Sequence, residues 1–204
     1  MSLVQRALEH FKQSTTDQAD STMEISLSAY RDETRYGLEI ERVFKHLPIA
    51  VALSIELPES GSYRAMTVMG VPLLLVRGED LNVRAMLNVC RHRGAKLCEE
   101  GAGKSRLIVC PYHAWSYNYE GALVGRYGGD TFGEIASDSY GLTGLHCEEK
   151  AGIIWASLTP GDVFDVDHWL GDFGEELETL DLNNWQLYEQ RDLAGPGGKV
   201  RREG

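Results

Sequence analysis

Four potential metal ligands occur as two mixed pairs in the middle of the chain, and they constrain the fold more than any other feature. One residue separates Cys90 from His92, and two separate Cys110 from His113. Two thiolates and two imidazoles are the set that a mixed-ligand [2Fe–2S] cluster needs, with both Cys on one iron and both His on the other. The fold must therefore bring two turns, separated by the seventeen residues 93–109, face to face.

A zinc site is the alternative for the same four side chains. Two Cys and two His also bind structural zinc, but zinc modules usually place Cys with Cys and His with His. Here each short pair contains one Cys and one His. The mixed spacing favours the iron–sulfur interpretation, and it leaves zinc, or an unrelated placement of the four residues in a core, as alternatives.

Residues suited to tight turns accompany both pairs. Gly94 follows the first pair, and glycine can adopt the positive φ that a sharp bend requires. Pro111 lies inside the second pair and restricts its own φ. Two such turns can clamp a cluster from both ends, with the thiolates buried and the imidazoles facing outward.

The residues around the pairs resemble a known family. CRHRG followed by CPYHAWSYNYEGAL is similar to the Rieske domain of ring-hydroxylating oxygenase α subunits, the Rieske non-haem iron oxygenases. The resemblance implies that Cys90 and Cys110 hold the buried iron. It likewise implies that His92 and His113 hold the outer iron of a Rieske [2Fe–2S] cluster. The family commonly has Gly where this chain has Ala114, which predicts that this position does not need a positive φ.

The resemblance also implies a function, which is one-electron transfer within an oxygenase. A ferredoxin or flavin reductase would supply the electron. A mononuclear non-haem iron, held by two His and one carboxylate, would receive it and activate O2 for insertion into an aromatic or similar organic substrate. The family resemblance places that iron in a neighbouring subunit and implies a trimer. A stand-alone Rieske ferredoxin, which only carries electrons, is the alternative function.

The mononuclear iron site is not expected within this chain of 204 residues. Only His146 and His168 follow the second ligand pair, and neither lies in the family's helical ligand motif. We therefore expect a truncated α subunit whose catalytic domain is missing. High-potential Rieske proteins carry an extra disulfide, but the matching positions here are Ala95 and Tyr112. The expected reduction potential is toward the low end of the range of about −150 to +300 mV known for Rieske centres.

Hydrophobic periodicity predicts a mostly β fold behind an N-terminal helical segment. Residues 3–13 and the stretch from Tyr36 to Leu47 show helical spacing, whereas short apolar runs bounded by turn residues begin at residue 50. We expect an antiparallel, Rieske (ISP-like) β-sandwich with a two-loop cluster-binding subdomain and flanking helices. The predicted divisions are a helical segment (1–48), the Rieske domain (49–160) and a C-terminal helix, strand and tail (161–204).

The same patterns predict how the ligand pairs are delivered. Apolar residues alternate from Leu81 to Val89, which predicts a half-buried strand that ends at Cys90. Residues 106–109 predict the strand that leads to Cys110, and the intervening EEGAGKS predicts a loop.

Beyond residue 160 the pattern becomes helical again. Asp165 is predicted to cap a helix that runs to about Leu180. WQLYEQRDL then predicts one more strand, and the Gly-rich AGPGGKVRREG predicts a loose tail. The remaining cysteines, Cys98 and Cys147, are expected in the core.

Charge and hydropathy exclude several classes of protein. The net charge of −11 argues against a nucleic-acid partner and is compatible with a basic redox partner. No apolar run approaches the length of a membrane span, and MSLVQRALEHFKQS is amphipathic and charged, unlike a secretory signal. Free thiols and a labile cluster suit a reducing compartment, which predicts a cytoplasmic protein.

Overall fold

The computed structural model describes residues 2–128 and 136–189 of the chain. The chain divides into two compact units, Met1–Arg35 and Tyr36–Gly204. Within the described residues, no helix combines the length and the apolar character needed to cross a lipid bilayer. The α-helices of this described part are α1 (Leu3–Gln13), α2 (Ser28–Arg31), α3 (Glu33–Glu39), α4 (Val166–Leu170) and α5 (Phe173–Glu178).

The predicted helices of the N-terminal segment are confirmed. Ser2 caps α1, because its hydroxyl accepts a hydrogen bond from the Gln5 N–H while the Gln5 side chain accepts one from the Ser2 N–H. The second predicted helix begins earlier than expected, as α3, and continues as a π-helical stretch over Ile40–Phe44. It ends before Pro48, in agreement with the sequence pattern.

Antiparallel strands make up the rest of the fold. The strands are β1 (Ile49–Leu53), β2 (Ser62–Val68), β3 (Val71–Arg77), β4 (Val83–Leu87), β5 (Gly101–Lys104), β6 (Ile108–Val109), β7 (Ser116–Tyr117), β8 (Leu123–Gly125), β9 (Gly144–Leu145), β10 (Cys147–Lys150) and β11 (Ile153–Ala156). They form a five-stranded sheet in the order β5-β2-β3-β4-β9, a three-stranded sheet in the order β1-β11-β10 and a small sheet in the order β6-β7-β8.

Strand β3 lies between two hydrophobic cores. Successive side chains of a strand point to opposite faces, so an entirely apolar strand suits burial on both sides. Leu73 and Leu75 belong to the core that includes residues of β11. Leu74 and Val76 belong to the core that includes both candidate cysteine ligands. This layered arrangement confirms the predicted antiparallel sandwich.

The prediction of a loop at EEGAGKS is wrong, because Gly101–Lys104 form strand β5 along the edge of β2. The strand has no apolar pattern to reveal it, since its residues are glycine, alanine and lysine. Gly103 lies against Tyr63, and a Cβ atom at this position would approach the Tyr63 hydroxyl to 2.6 Å. A larger residue here would displace the Tyr63 ring, which accounts for glycine at this close contact between neighbouring strands.

The strand predicted before Cys90 exists, but it is shorter and more deeply buried than expected. Leu81 is 60% exposed, has a φ of 62° and lies in the turn before β4. Ala85 faces one core and Met86 the other, so both faces of β4 are covered. The strand leading to Cys110 is likewise confirmed with narrower bounds, as β6.

The C-terminal predictions are partly correct. The Asp165 carboxylate caps α4 by accepting a hydrogen bond of 2.9 Å from the His168 N–H. The predicted single helix is broken at Gly171, which has a φ of 51° and separates α4 from α5. The strand predicted at WQLYEQRDL is not formed over residues 185–189. Its remaining residues and the AGPGGKVRREG tail lie outside the described part of the chain.

Candidate metal centre

The first candidate ligand pair lies in a tight loop, residues 90–95 (loop 1), which is separated from the end of β4 by two residues. The Cys90 N–H donates to the Ala95 carbonyl at 2.8 Å, and the Cys90 carbonyl accepts from the Gly94 N–H at 2.9 Å. Gly94 has a φ of 72°, which completes the bend. A single bridge between Val89 and Lys96 closes the loop at its base.

The second pair lies in a loop of the same construction, residues 110–115 (loop 2). The Cys110 N–H donates to the Trp115 carbonyl at 2.8 Å, and the Cys110 carbonyl accepts from the Ala114 N–H at 3.0 Å. In each loop, therefore, the cysteine backbone forms hydrogen bonds with the backbone of the residues four and five positions later. Strands β6 and β7, which flank loop 2, pair with each other and hold its ends together.

The expectation that Ala114 does not need a positive φ is wrong. Ala114 has a φ of 53° and occupies the place that Gly94 occupies in loop 1. The backbone pattern of the loop dictates the left-handed conformation, and alanine accepts it at a cost of roughly 1–2 kcal/mol. The methyl group adds strain but does not change the bend.

Replacing Ala114 with glycine is expected to raise the free energy of unfolding by about 0.5–1 kcal/mol, because relief of the strain exceeds the extra backbone entropy of glycine. Urea denaturation of the purified protein measures the change. Ala102→Gly is the matched control, because Ala102 is exposed on β5 with an ordinary φ and should lose stability. A destabilised Ala114→Gly variant would contradict the prediction.

The two candidate cysteines are buried, and a tyrosine hydroxyl lies against one of them. Cys90 and Cys110 are 2% and 3% exposed and share one core with Tyr117. The Tyr117 hydroxyl lies 3.3 Å from Cys90 Sγ and accepts a hydrogen bond of 3.2 Å from the Arg91 N–H. Its own proton is therefore available for the sulfur. Burial, followed by the Cys90 contact, raises the pKa of Tyr117 and keeps the hydroxyl protonated.

Tyr117→Phe is expected to lower the reduction potential of a cluster bound here. The hydroxyl stabilises the more negative, reduced state, and a loss of ~1 kcal/mol corresponds to about 40 mV for a one-electron couple. Spectroelectrochemical titration measures the potential. Tyr119→Phe is the control, since Tyr119 is half-buried and makes no hydrogen bond to a candidate ligand. An unchanged potential in Tyr117→Phe would show that the hydroxyl does not act on the cluster.

The two candidate histidines lie side by side. The ring centroids of His92 and His113 are 4.8 Å apart, and the Nδ1 atoms of both rings are buried. Among the residues that the structure describes, the Nδ1 atom of His113 has no hydrogen-bond partner, although a buried polar atom normally has one. Burial, followed by the charges of His113 and Arg93, lowers the pKa of His92. A low pKa favours the neutral imidazole, which is the form that binds metals.

Each histidine packs against an aromatic side chain. Trp115 is buried and stacks on His92 with a centroid distance of 4.7 Å and an interplanar angle of 5°. The ring centroids of Tyr112 and His113 are 3.8 Å apart, and Tyr112 is 61% exposed. One of these two aromatic side chains thus lies in the core and the other at the surface.

Asn88 positions loop 1, and the sequence analysis missed it. Its side chain is 1% exposed and donates a 2.7 Å hydrogen bond to the Cys98 carbonyl. The amide oxygen accepts from the N–H groups of Leu97 and Cys98 at 3.2 and 3.0 Å. A polar residue within an apolar run, two positions before a ligand, was the available signal. Without the fold, nothing indicated which backbone groups it satisfies.

The other cysteines and histidines take structural roles. Cys98 and Cys147 pack against the two hydrophobic cores, as predicted, and burial raises the pKa of Cys147 to about 11. The remaining four histidines pair with side chains or lie at the surface: His10 bonds Thr15 and Asp17, His46 bonds Asp162, His146 bonds Glu148 and the Phe164 carbonyl, and His168 is exposed.

The four candidate ligands fit a two-iron group better than a single ion. Within residues 2–128 and 136–189, no three His, Cys, Asp or Glu side chains gather as ligands of one metal ion. A structural zinc ion takes four protein ligands, whereas each iron of a mixed-ligand [2Fe–2S] cluster takes two. Two buried thiols and two adjacent imidazoles would supply those two pairs.

Comparison with protein families agrees with this donor set. Residues 48–128 match the model of the Rieske [2Fe–2S] domain. The chain carries a Rieske domain. Its mostly antiparallel fold and its iron–sulfur cofactor are those of the family.

The relatives are oxygenase subunits. The chain is 31% identical over 165 residues to the glycine betaine monooxygenase oxygenase subunit of Chromohalobacter salexigens, covering 80% of this chain and 36% of that protein. It is 33% identical over 145 residues to benzene 1,2-dioxygenase subunit alpha of Pseudomonas putida, covering 70% and 32%. A solved quaternary ammonium Rieske monooxygenase superposes with a TM-score of 0.68 at 31% identity, covering 74% and 41%.

These comparisons support the Rieske domain of an oxygenase and not the stand-alone ferredoxin. The chain spans only about a third of the length of the two curated relatives described above. Both mono- and dioxygenases occur among the relatives, which act as oxidoreductases. The family therefore leaves the expected aromatic substrate undecided.

Proposed function

We propose that this chain is the electron-transfer domain of a Rieske oxygenase subunit. In this proposal, Cys90 and Cys110 hold one iron, and His92 and His113 hold the other. The observation that carries the assignment is the matching construction of loops 1 and 2, which brings two buried thiols and two adjacent imidazoles to one place.

The surrounding residues would set the properties of the centre. A bound cluster accepts and passes on one electron at a time. Tyr117 would donate its hydroxyl proton to Cys90 Sγ and stabilise the added negative charge. Trp115 would exclude water from one side of His92 and hold its ring in place. Asn88 would keep loop 1 closed through three hydrogen bonds.

In the whole oxygenase, a ferredoxin or flavin reductase would supply electrons, and a mononuclear iron outside this chain would receive them. The neighbouring subunit of a trimer is the proposed place of that iron. A solved relative is described in connection with inter-subunit electron transfer, which supports this arrangement. Hydroxylation of an aromatic or similar substrate stays a prediction, because the relatives are named for glycine betaine as well as for benzene. A cytoplasmic location also stays a prediction.

We also propose the division of the chain into a helical segment (1–48), the Rieske domain (49–160) and a C-terminal part (161–204) that leads toward a catalytic domain. The Rieske family match over residues 48–128 supports the first boundary. Helices α4 and α5, which follow the last strand, are consistent with the second.

Iron and acid-labile sulfide content, with an EPR spectrum of the dithionite-reduced protein, tests the proposed function. We expect about two irons and two sulfides per chain and the rhombic signal of mixed His/Cys ligation. One zinc and no EPR signal would overturn the assignment of all four ligands. The measurement needs only the 204-residue chain and is independent of any oxygenase activity.

A further inference from the structure

Tyr140 packs against the indole that stacks on a candidate ligand. The ring centroids of Trp115 and Tyr140 are 5.6 Å apart and the ring planes meet at 76°, which is an edge-to-face contact. Trp115 in turn lies nearly parallel to the His92 imidazole, at a centroid distance of 4.7 Å. Tyr140 is therefore connected to His92 through one intervening ring, although the two residues are far apart in the sequence.

The turn between β7 and β8 fixes the backbone on both sides of this contact. Tyr140 ends a short 3₁₀ helix, Ser137–Tyr140. Two residues later, the Leu142 N–H donates a 2.7 Å hydrogen bond to the Gly121 carbonyl in that turn. Strand β7 begins directly after Trp115. The same hairpin thus holds the segment that carries Tyr140 and the residue that Tyr140 contacts.

The ring of Tyr140, and not its hydroxyl, makes the contact. In the described part of the chain the Tyr140 hydroxyl forms no hydrogen bond. Trp115 is 1% exposed, and Tyr140 is half-buried against the core that contains both candidate cysteines. The positive edge of one aromatic ring is attracted to the negative face of another, so the contact favours one orientation of the indole. That orientation sets the plane in which the His92 ring stacks.

We propose that Tyr140 is a positioning residue of the iron–sulfur centre, which fixes the plane of the His92 imidazole through Trp115. This inference rests on the proposed function, because it assumes that His92 binds iron. Groups that orient a ligating histidine typically change metal affinity by about 10–100-fold when they are removed. Tyr140 acts at the far end of such a group, since its contact is with the indole.

Tyr140→Leu removes the aromatic edge and keeps an apolar side chain in the core. We expect EDTA to remove iron from this variant about tenfold faster than from the parent, because His92 is held less firmly. Loss of the visible absorbance of the cluster measures the rate. Tyr140→Phe keeps the ring and should restore the parent rate. If Tyr140→Phe loses iron as fast as Tyr140→Leu, the hydroxyl is responsible and the inference is wrong.

Tyr119→Leu is the matched control for loss of core packing. Tyr119 is also half-buried and packs against the same core, but no ring contact joins it to Trp115 or to a candidate ligand in the described residues. Urea denaturation should show comparable losses of stability in Tyr119→Leu and Tyr140→Leu, whereas only Tyr140→Leu should lose iron faster. Equal acceleration in both variants would reduce the role of Tyr140 to ordinary packing.

Nitrogen ENDOR spectra of the reduced protein give a readout that general loosening of the fold does not move. They resolve the couplings of the two histidine ligands, and in Tyr140→Leu we expect one coupling to shift and the other to stay. In a Trp115→Phe background, Tyr140→Leu should add little further change, because the connecting indole is gone. Unchanged couplings in Tyr140→Leu would overturn the inference. Absence of iron and sulfide in the unsubstituted chain would instead refute the proposed function.

Discussion

Cys110→Ser is expected to abolish cluster binding, and iron should fall from about two atoms per chain to near zero. Serine matches cysteine in size, but its hydroxyl is a poor iron ligand at neutral pH. Cys110 is buried at the start of loop 2, so no neighbouring solvent-exposed group can replace its sulfur. Iron and sulfide assays together with the EPR spectrum of the reduced protein measure the loss.

The control for this prediction is Cys98→Ser. Cys98 packs against the same core but lies outside both loops, so this variant should keep about two irons and an unchanged spectrum. Far-UV circular dichroism of both variants separates loss of the cluster from loss of the fold. A folded Cys110→Ser protein with full iron content and the parent spectrum would remove Cys110 from the proposed ligand set.

Arg77→Met is expected to lower the free energy of unfolding by about 3 kcal/mol, because it removes a buried guanidinium that is hydrogen-bonded to three backbone carbonyls and to Glu149. The guanidinium donates to the carbonyls of Leu57 and Leu81 at 2.8 Å and to that of Ser54 at 3.2 Å. It also pairs with Glu149 at 2.5 Å. Methionine fills a similar volume but leaves these oxygens without their donor, and urea denaturation measures the cost.

Arg84→Met is the matched control for the Arg77 substitution. Arg84 forms a bidentate pair with Asp80 at 2.8 and 2.9 Å, but the Asp80 side chain is 46% exposed. Water can replace the lost donor at such a site, so we expect a much smaller change in stability. Equal losses in the two variants would show that burial of the Arg77 network does not decide its contribution.

The four candidate ligands could be predicted from the sequence because the chemistry lies within short segments. Thiolates and imidazoles have few roles in common, and the mixed spacing in Cys90–His92 and Cys110–His113 suits a two-iron cluster better than a zinc ion. The sandwich was predictable for a similar reason. Apolar runs such as Val71–Arg77 are short and uninterrupted and are bounded by Gly70 and Gly78, a pattern that is consistent with a strand buried on both faces.

Contacts between distant segments could not be predicted in the same way. Strand β5 has no apolar pattern, because an edge strand is defined by its neighbour β2 and not by its own burial. The positive φ of Ala114 accompanies the hydrogen bond from its N–H to the Cys110 carbonyl, which closes the loop. Alanine by itself disfavours this conformation. The periodicity of apolar residues indicates which residues are buried. It does not indicate that a strand pairs at the edge of a sheet or that a loop residue needs a positive φ.

The sequence by itself indicated the candidate ligands, the family and most of the succession of helices and strands, since each depends on residues close together along the chain. The tertiary structure alone decided that Asn88 closes loop 1 and that the Tyr117 hydroxyl reaches Cys90. These features arise where segments far apart in the chain meet. Distance and direction there depend on packing, which no local pattern encodes.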